Sequence, residues 1–148
     1  MRTIQRDIVG AFIFSQDNKA LLGKTAAYEG LWVVPGGGIE EDETKLQALI
    51  RETLEETGIH IGKAKITPFE EVHAGESEKI LRGTGERVLV KMNFYDFKIL
   101  LAKSADEIKL KTEDDFTEAT WFSKEELQKL KLSPPTAKRL QKLDYLKK

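Results

Sequence analysis

Within the six residues from Arg51 to Glu56 the chain places one arginine and three glutamates, Arg51-Glu52-Thr53-Leu54-Glu55-Glu56. Successive residues of an α-helix turn by about 100°, so Glu52, Glu55 and Glu56 would project within one arc of roughly 100°. Three carboxylates that close together repel one another. The arrangement becomes favourable when a hard divalent cation with oxygen ligands sits among them, which is the coordination that magnesium and manganese prefer. Taken alone, the same residues would serve equally well as a solvated acidic helix face.

A second feature lies just upstream, in Pro35-Gly36-Gly37-Gly38. Glycines such as Gly37 and Gly38 let main-chain carbonyls or amides approach a phosphate or a metal with no side chain in the way, although three glycines are also a simple flexible turn. The two features are joined by their spacing. Five residues separate Gly37 from Glu43, seven more separate Glu43 from Arg51, and Gly58-Ile59 follows the glutamates.

That string, Gly37 to Ile59, resembles the signature of the Nudix hydrolases: glycine, five residues, glutamate, seven residues, Arg-Glu, an aliphatic residue, any residue, Glu-Glu, any residue, glycine, an aliphatic residue. Every charged and glycine position matches. The departure is Thr53, where the family usually carries a bulkier aliphatic side chain, and it bears on local packing more than on chemistry. Leu31-Trp32-Val33-Val34 before the glycines, and Trp121-Phe122 with the helix start that follows, also look like the family. The resemblance implies that Glu52, Glu55 and Glu56 hold magnesium, with manganese as the alternative ion, and that a main-chain carbonyl near Gly37 is a further ligand. It implies a structural ion pair between Arg51 and Glu43, and attack of water on phosphorus in a substrate that joins a nucleoside diphosphate to another group.

Other residues have weaker claims. Lys24 and Arg87 are candidates for substrate phosphates, and the general base falls either to a signature glutamate or to the acidic run Glu113-Asp114-Asp115. His60 and His73 are isolated histidines without metal-ligand spacing and are left out of the site.

The elements that must position these groups follow from the apolar pattern. Ile8 to Phe14 reads as a strand, and Ala20 to Lys24 as its hairpin partner after a polar turn. Leu31 to Val34 reads as a third short strand stopped by Pro35. From Glu43 to Thr57 the spacing is helical, with Leu46, Leu49, Ile50, Thr53 and Leu54 as the apolar stripe, the glutamates on the side away from it and Gly58 as terminator. Gly75 to Glu86 reads as a mobile loop before a long strand over Arg87 to Leu101. Ala119 to Phe122 is another strand, Ser123-Lys124-Glu125-Glu126 opens a helix, and Ser133-Pro134 opens a last amphipathic one bearing Leu140, Leu143 and Leu146. Strands on both sides of a central helix, with further helix at the end, predict an α/β (α+β) fold: a mixed β-sheet packed between helices, the Nudix fold, as a single domain over residues 1–148.

Composition narrows the function classes. With 40 % apolar and 33 % charged residues this is an ordinary folding sequence, and without cysteine it has no disulfide, thiolate zinc site or cysteine nucleophile. A cytoplasmic setting suits such a chain. The Ile8–Phe14 run is short for a signal segment, and no run of about 20 apolar residues implies a membrane span. A net charge of −1 gives no basic field for long nucleic acid, so the expected partner is a small nucleotide bound by a monomer or homodimer. A nucleoside triphosphate cut to monophosphate and pyrophosphate is the leading substrate. Dinucleoside polyphosphates and nucleotide sugars are the alternatives within the enzyme class. A nucleotide-binding sensor module is the alternative outside it, and its usual mark, loss of signature carboxylates, is absent here.

Overall fold

The computed structural model describes residues 1–113 and 116–148. One seven-stranded sheet contains β1 (Arg2–Phe14), β2 (Ala20–Thr25), β3 (Gly36–Gly38), β4 (Lys65–Pro68), β5 (His73–Ile80), β6 (Arg87–Leu100) and β7 (Phe116–Phe122), with helices α1 (Lys45–Thr57), α2 (Lys124–Leu127) and α3 (Pro134–Lys142). Its main order is β4-β6-β1-β2-β7, with β3 added along β1 and β5 along β6. β1 and β6 are parallel from Arg2 opposite Val88 to Phe14 opposite Leu100, whereas the other strand-to-strand pairings among the described residues are antiparallel.

Side chains alternate along β1, and the two faces bury different partners. Val9, Ala11 and Ile13 join Leu21, Phe97 and Ile99 under Ala48 and Leu49 of α1. Phe12 and Phe14 join Ala20, Leu22 and Phe122 under Leu127 of α2 and Leu140 of α3. Burial of each such side chain is worth about 1.5–3 kcal/mol before chain entropy is counted. The expected mixed sheet between helices is what the chain forms. Among the described residues, no helix is long and apolar enough to cross a membrane.

Three expectations need correction. Leu31 to Val34 is not a strand. Trp32 and Val33 make only isolated bridges, to Leu132 and Gly23, and the paired segment is Gly36–Gly38 instead. Gly75 to Glu86 is not a loop, because Gly75 to Ile80 belongs to β5; only 81–86 turn back into β6. Finally, α1 begins at Lys45 and not at Glu43. Thr44 caps it, accepting the Gln47 amide at 3.1 Å while the Gln47 side chain accepts the Thr44 amide at 2.8 Å. Gly58, at φ 79°, ends α1 as expected, donating its amide to Leu54.

α3 is fastened to the sheet by charge as well as by Leu140. Arg139, 1 % exposed, donates from Nε to Asp96 Oδ2 at 3.0 Å, donates to the Glu71 carbonyl, and lies 4.5 Å from the Phe69 ring centre. Asp96 sits beside Gly10, where a Cβ would meet its Oδ1 at 2.3 Å.

Candidate active site

β3 is held between β1 and α1, and each glycine has its own reason to lack a side chain. The strand pairs Gly36 with Gly10, Gly37 with Val9 and Gly38 with Ile8. A Cβ on Gly36 would lie 2.2 Å from the Val9 carbonyl oxygen, and one on Gly37 would lie 2.4 to 2.5 Å from the Glu52 carboxylate atoms. The main chain of β3 is then tied to the helix at both ends. The Gly36 amide donates to Glu56 Oε1 at 2.8 Å, and the Gly38 carbonyl accepts from Arg51 Nη2 at 3.0 Å.

Glu56 is therefore not on the outward side of α1. It is 4 % exposed and lies with Ala48, Leu49, Thr53 and Thr57 on the buried face, while Leu46 and Leu54, expected in the apolar stripe, are 48 % and 45 % exposed. The buried face is set by what α1 packs against, and at its C-terminal end that is the backbone of the glycine strand. Thr53 fills its core position without exposure, which locates the one departure from the signature in a tightly packed spot.

Arg51 gathers the remaining carboxylates. Its Nε and Nη2 donate to the two oxygens of Glu43 at 2.7 and 2.9 Å, and its Nη1 donates to Glu52 at 2.9 Å and to Glu55 at 3.4 Å. Glu40 stands 3.7 Å away. The hydrogen bonds it donates to Glu43, and after them those to Glu52, push the Arg51 guanidinium further above its already high range. In return, the Arg51 hydrogen bonds and the Glu40 amide hold the Glu43 carboxyl down at about 2. The Arg51–Glu43 pair expected from the signature is present as a two-pronged contact.

The structure thus brings together Gly37, Gly38, Glu43, Arg51, Glu52, Glu55 and Glu56. Their donor set is oxygen only, which fits a hard divalent cation and not a thiophilic one. Among the described residues, no three acidic or histidine side chains are already gathered tightly enough to cage an ion, and Glu52 and Glu55 are both paired with Arg51.

Lys24 extends from the end of β2 with its Nζ 4.7 Å from the centre of the Trp32 ring, beside the segment that leads into β3. Arg87 is not brought to this site. It precedes Phe94, the residue level with Ile8 and Gly38, by seven strand positions, a distance of roughly 23 Å. Glu113 is exposed and pairs with Lys111 at 3.1 Å, while Asp114 and Asp115 lie outside the described residues. His73 stays apart from the glutamates, on β5 opposite Phe94, with burial pulling its pKa below the ordinary range. Arg6 also borders the glycine strand, although no sequence motif marks it. Its Nη2 would be 2.7 Å from a Cβ on Gly38, a proximity that no spacing rule reveals because it depends on how β3 registers against β1.

Known proteins resemble this chain in sequence over part of its length and in fold over most of it. The chain is 38 % identical over 53 residues to an RNA pyrophosphohydrolase of Wolbachia pipientis wMel, covering 36 % of this chain and 33 % of that protein. It is 46 % identical over 54 residues to the CTP pyrophosphohydrolase of Escherichia coli strain K12, covering 34 % and 40 %. The chain thus spans only about a third to two fifths of the length of these relatives. In three dimensions it superposes on the E. coli dihydroneopterin triphosphate pyrophosphohydrolase with a TM-score of 0.71, covering 92 % of both chains at 18 % identity, a likeness of fold. The model of the NUDIX domain matches residues 4–143, which take in β3, α1 and all but the first residues of the sheet, and the chain belongs to the NUDIX domain family.

Proposed function

We propose that this chain is a nucleotide pyrophosphohydrolase that cuts an inner phosphoanhydride of a nucleoside triphosphate, releasing the monophosphate and pyrophosphate. The observation that carries the reading is the tie between β3 and α1. Gly36 donates to Glu56 and Gly37 lies against Glu52, so two acidic side chains and an unobstructed stretch of main chain converge where a phosphate chain can lie. Two relatives matched over part of their length are named for pyrophosphohydrolysis of RNA and of CTP, which supports the reaction class.

In this reading Glu52, Glu55 and Glu56, with the Gly37 carbonyl, hold magnesium or manganese. When bound, the ion would neutralise phosphate oxygens and lower the pKa of an attacking water. Arg51 keeps the carboxylates from repelling one another and fixes the 38–43 segment to α1. Gly37 and Gly38 admit the phosphate chain, and Lys24 offers a cation to it. A signature glutamate would accept the proton of the attacking water. A monomer or homodimer acting on a small nucleotide in the cytoplasm completes the proposal.

The test is to incubate the protein with each common nucleoside triphosphate and magnesium, separate products by ion exchange, and assay pyrophosphate and orthophosphate independently. Monophosphate with equimolar pyrophosphate, abolished by a chelator, is the expected result. Diphosphate with orthophosphate would reject inner cleavage. No product from any triphosphate, with turnover of a dinucleoside polyphosphate or a nucleotide sugar, would replace the substrate class.

A further inference from the structure

Because side chains alternate along a strand, the two faces of β3 look in opposite directions. Gly37 faces α1 and Glu52. Gly38 faces the other way, and the group that meets its missing side chain is the guanidinium of Arg6, on β1 two residues before Ile8. Arg6 is exposed and has no ion-pair partner among the described residues. Arg2 pairs with Glu86 at 2.8 Å, Arg139 with Asp96 at 3.0 Å, and Arg51 with several glutamates; Arg82 and Arg87, exposed like Arg6 and without an ion pair among the described residues, sit at the far end of the β5–β6 hairpin, so Arg6 is set apart by its place against β3. In a chain with a net charge of −1 and many surface carboxylates, Arg6 is left with its fork of donors unneutralised, directly beside the glycine strand.

We infer that Arg6 is a substrate-binding residue that donates hydrogen bonds to the phosphate chain from the face of β3 opposite the glutamates. The inference rests on the pyrophosphohydrolase reading and deepens it. A triphosphate carries more oxygens than one acidic, cation-binding face can satisfy. Oxygens turned away from α1 need a donor of positive charge on the other side of β3, and a planar guanidinium can serve two of them at once. The absence of a Cβ at Gly38 is what lets Arg6 lie close enough to reach past the strand. Arg6 would therefore favour substrates with an extended polyphosphate over those in which a neutral group replaces the outer phosphates.

The experiment compares wild type with Arg6→Gln, Arg6→Lys and Arg2→Gln, the last removing an exposed arginine four residues away on the same strand. For the triphosphate that wild type cleaves best, Arg6→Gln should raise KM about tenfold or more with kcat within about twofold. Arg6→Lys should recover part of the loss because it restores charge without the fork, and Arg2→Gln should leave KM unchanged. Calorimetric binding of α,β-methylene-ATP should weaken in Arg6→Gln by a similar factor, while the melting temperature stays put because Arg6 is exposed. An active wild type with the same KM in Arg6→Gln overturns the role of Arg6 alone, as does a fall confined to kcat. A wild type that cleaves no triphosphate and does not bind α,β-methylene-ATP overturns the reading on which the inference rests.

Discussion

Arg51 meets Glu43 with two donors at once, Nε to Oε2 at 2.7 Å and Nη2 to Oε1 at 2.9 Å, across eight residues of sequence. The contact closes the segment between β3 and α1 into a loop whose other end is the Gly38 carbonyl, also bound to Arg51. Arg51→Ala removes all of these together and leaves Glu43, Glu52 and Glu55 without their shared counter-charge. The melting temperature should fall by roughly 5–10 °C, and activity should fall with it. An unchanged melting temperature with lost activity would instead make Arg51 a contact to the substrate.

The same pair predicts a pH dependence of stability. Glu43 titrates at about 2 in the folded protein against 4.5 for an ordinary glutamate, so folding favours its ionised form. Its contribution is complete above pH 4.5 and is lost as pH falls from there through 2. The wild-type melting temperature should drop more steeply between pH 5 and pH 3 than that of Glu43→Gln, recorded side by side by circular dichroism. Parallel curves would show that Glu43 contributes nothing to acid sensitivity.

Gly37→Ala separates geometry from stability. The backbone there needs no positive φ, and the atoms nearest the added methyl are those of the Glu52 carboxylate, the far end of a side chain. The fold should tolerate it with a small change in melting temperature, but the Glu52 carboxylate must shift by about 1 Å, which is enough to cost on the order of a hundredfold in kcat/KM. Near-normal kcat/KM would mean that Glu52 is not a precise participant.

Glu56→Gln keeps an oxygen to accept the Gly36 amide, so β3 should stay in place while the carboxylate charge disappears. Turnover at ordinary magnesium should fall about a hundredfold or more, and titration with magnesium or manganese should show weakened binding. Turnover within a few fold of wild type would remove Glu56 from the proposed metal set.

What the sequence made legible follows from where physical constraints are local. The Ile8–Phe14 half of β1 is an apolar run because both its faces are buried, whereas Arg2 to Asp7 continues the same strand with mostly exposed side chains and leaves no hydrophobic period to detect. β5 reads as a loop because its half-buried positions, His73, Gly75 and Ser77, are not large apolar residues, so the alternation in burial leaves no alternation in hydrophobicity. The spacing of Arg51, Glu43 and the glutamates was readable because it is fixed by one helix and one short loop. That Glu56 turns inward was not, because it depends on a partner, the Gly36 amide, brought in by the sheet. The pairing of Asp96 with Arg139, 43 residues apart, left no trace in sequence at all.

The long parallel pairing of β1 with β6 also bears on how the chain reaches this state. Each β1 residue waits for a partner 86 positions later, from Arg2 with Val88 to Phe14 with Leu100. Before those residues exist, β1 has only its single register with Ala20 and three with the glycines. During synthesis its inner half would therefore leave the ribosome as an apolar strand with an open edge, and closing so large a loop is entropically slow. Refolding should be limited by the docking of β6, and the nascent chain should depend on holding factors until about residue 100 has emerged.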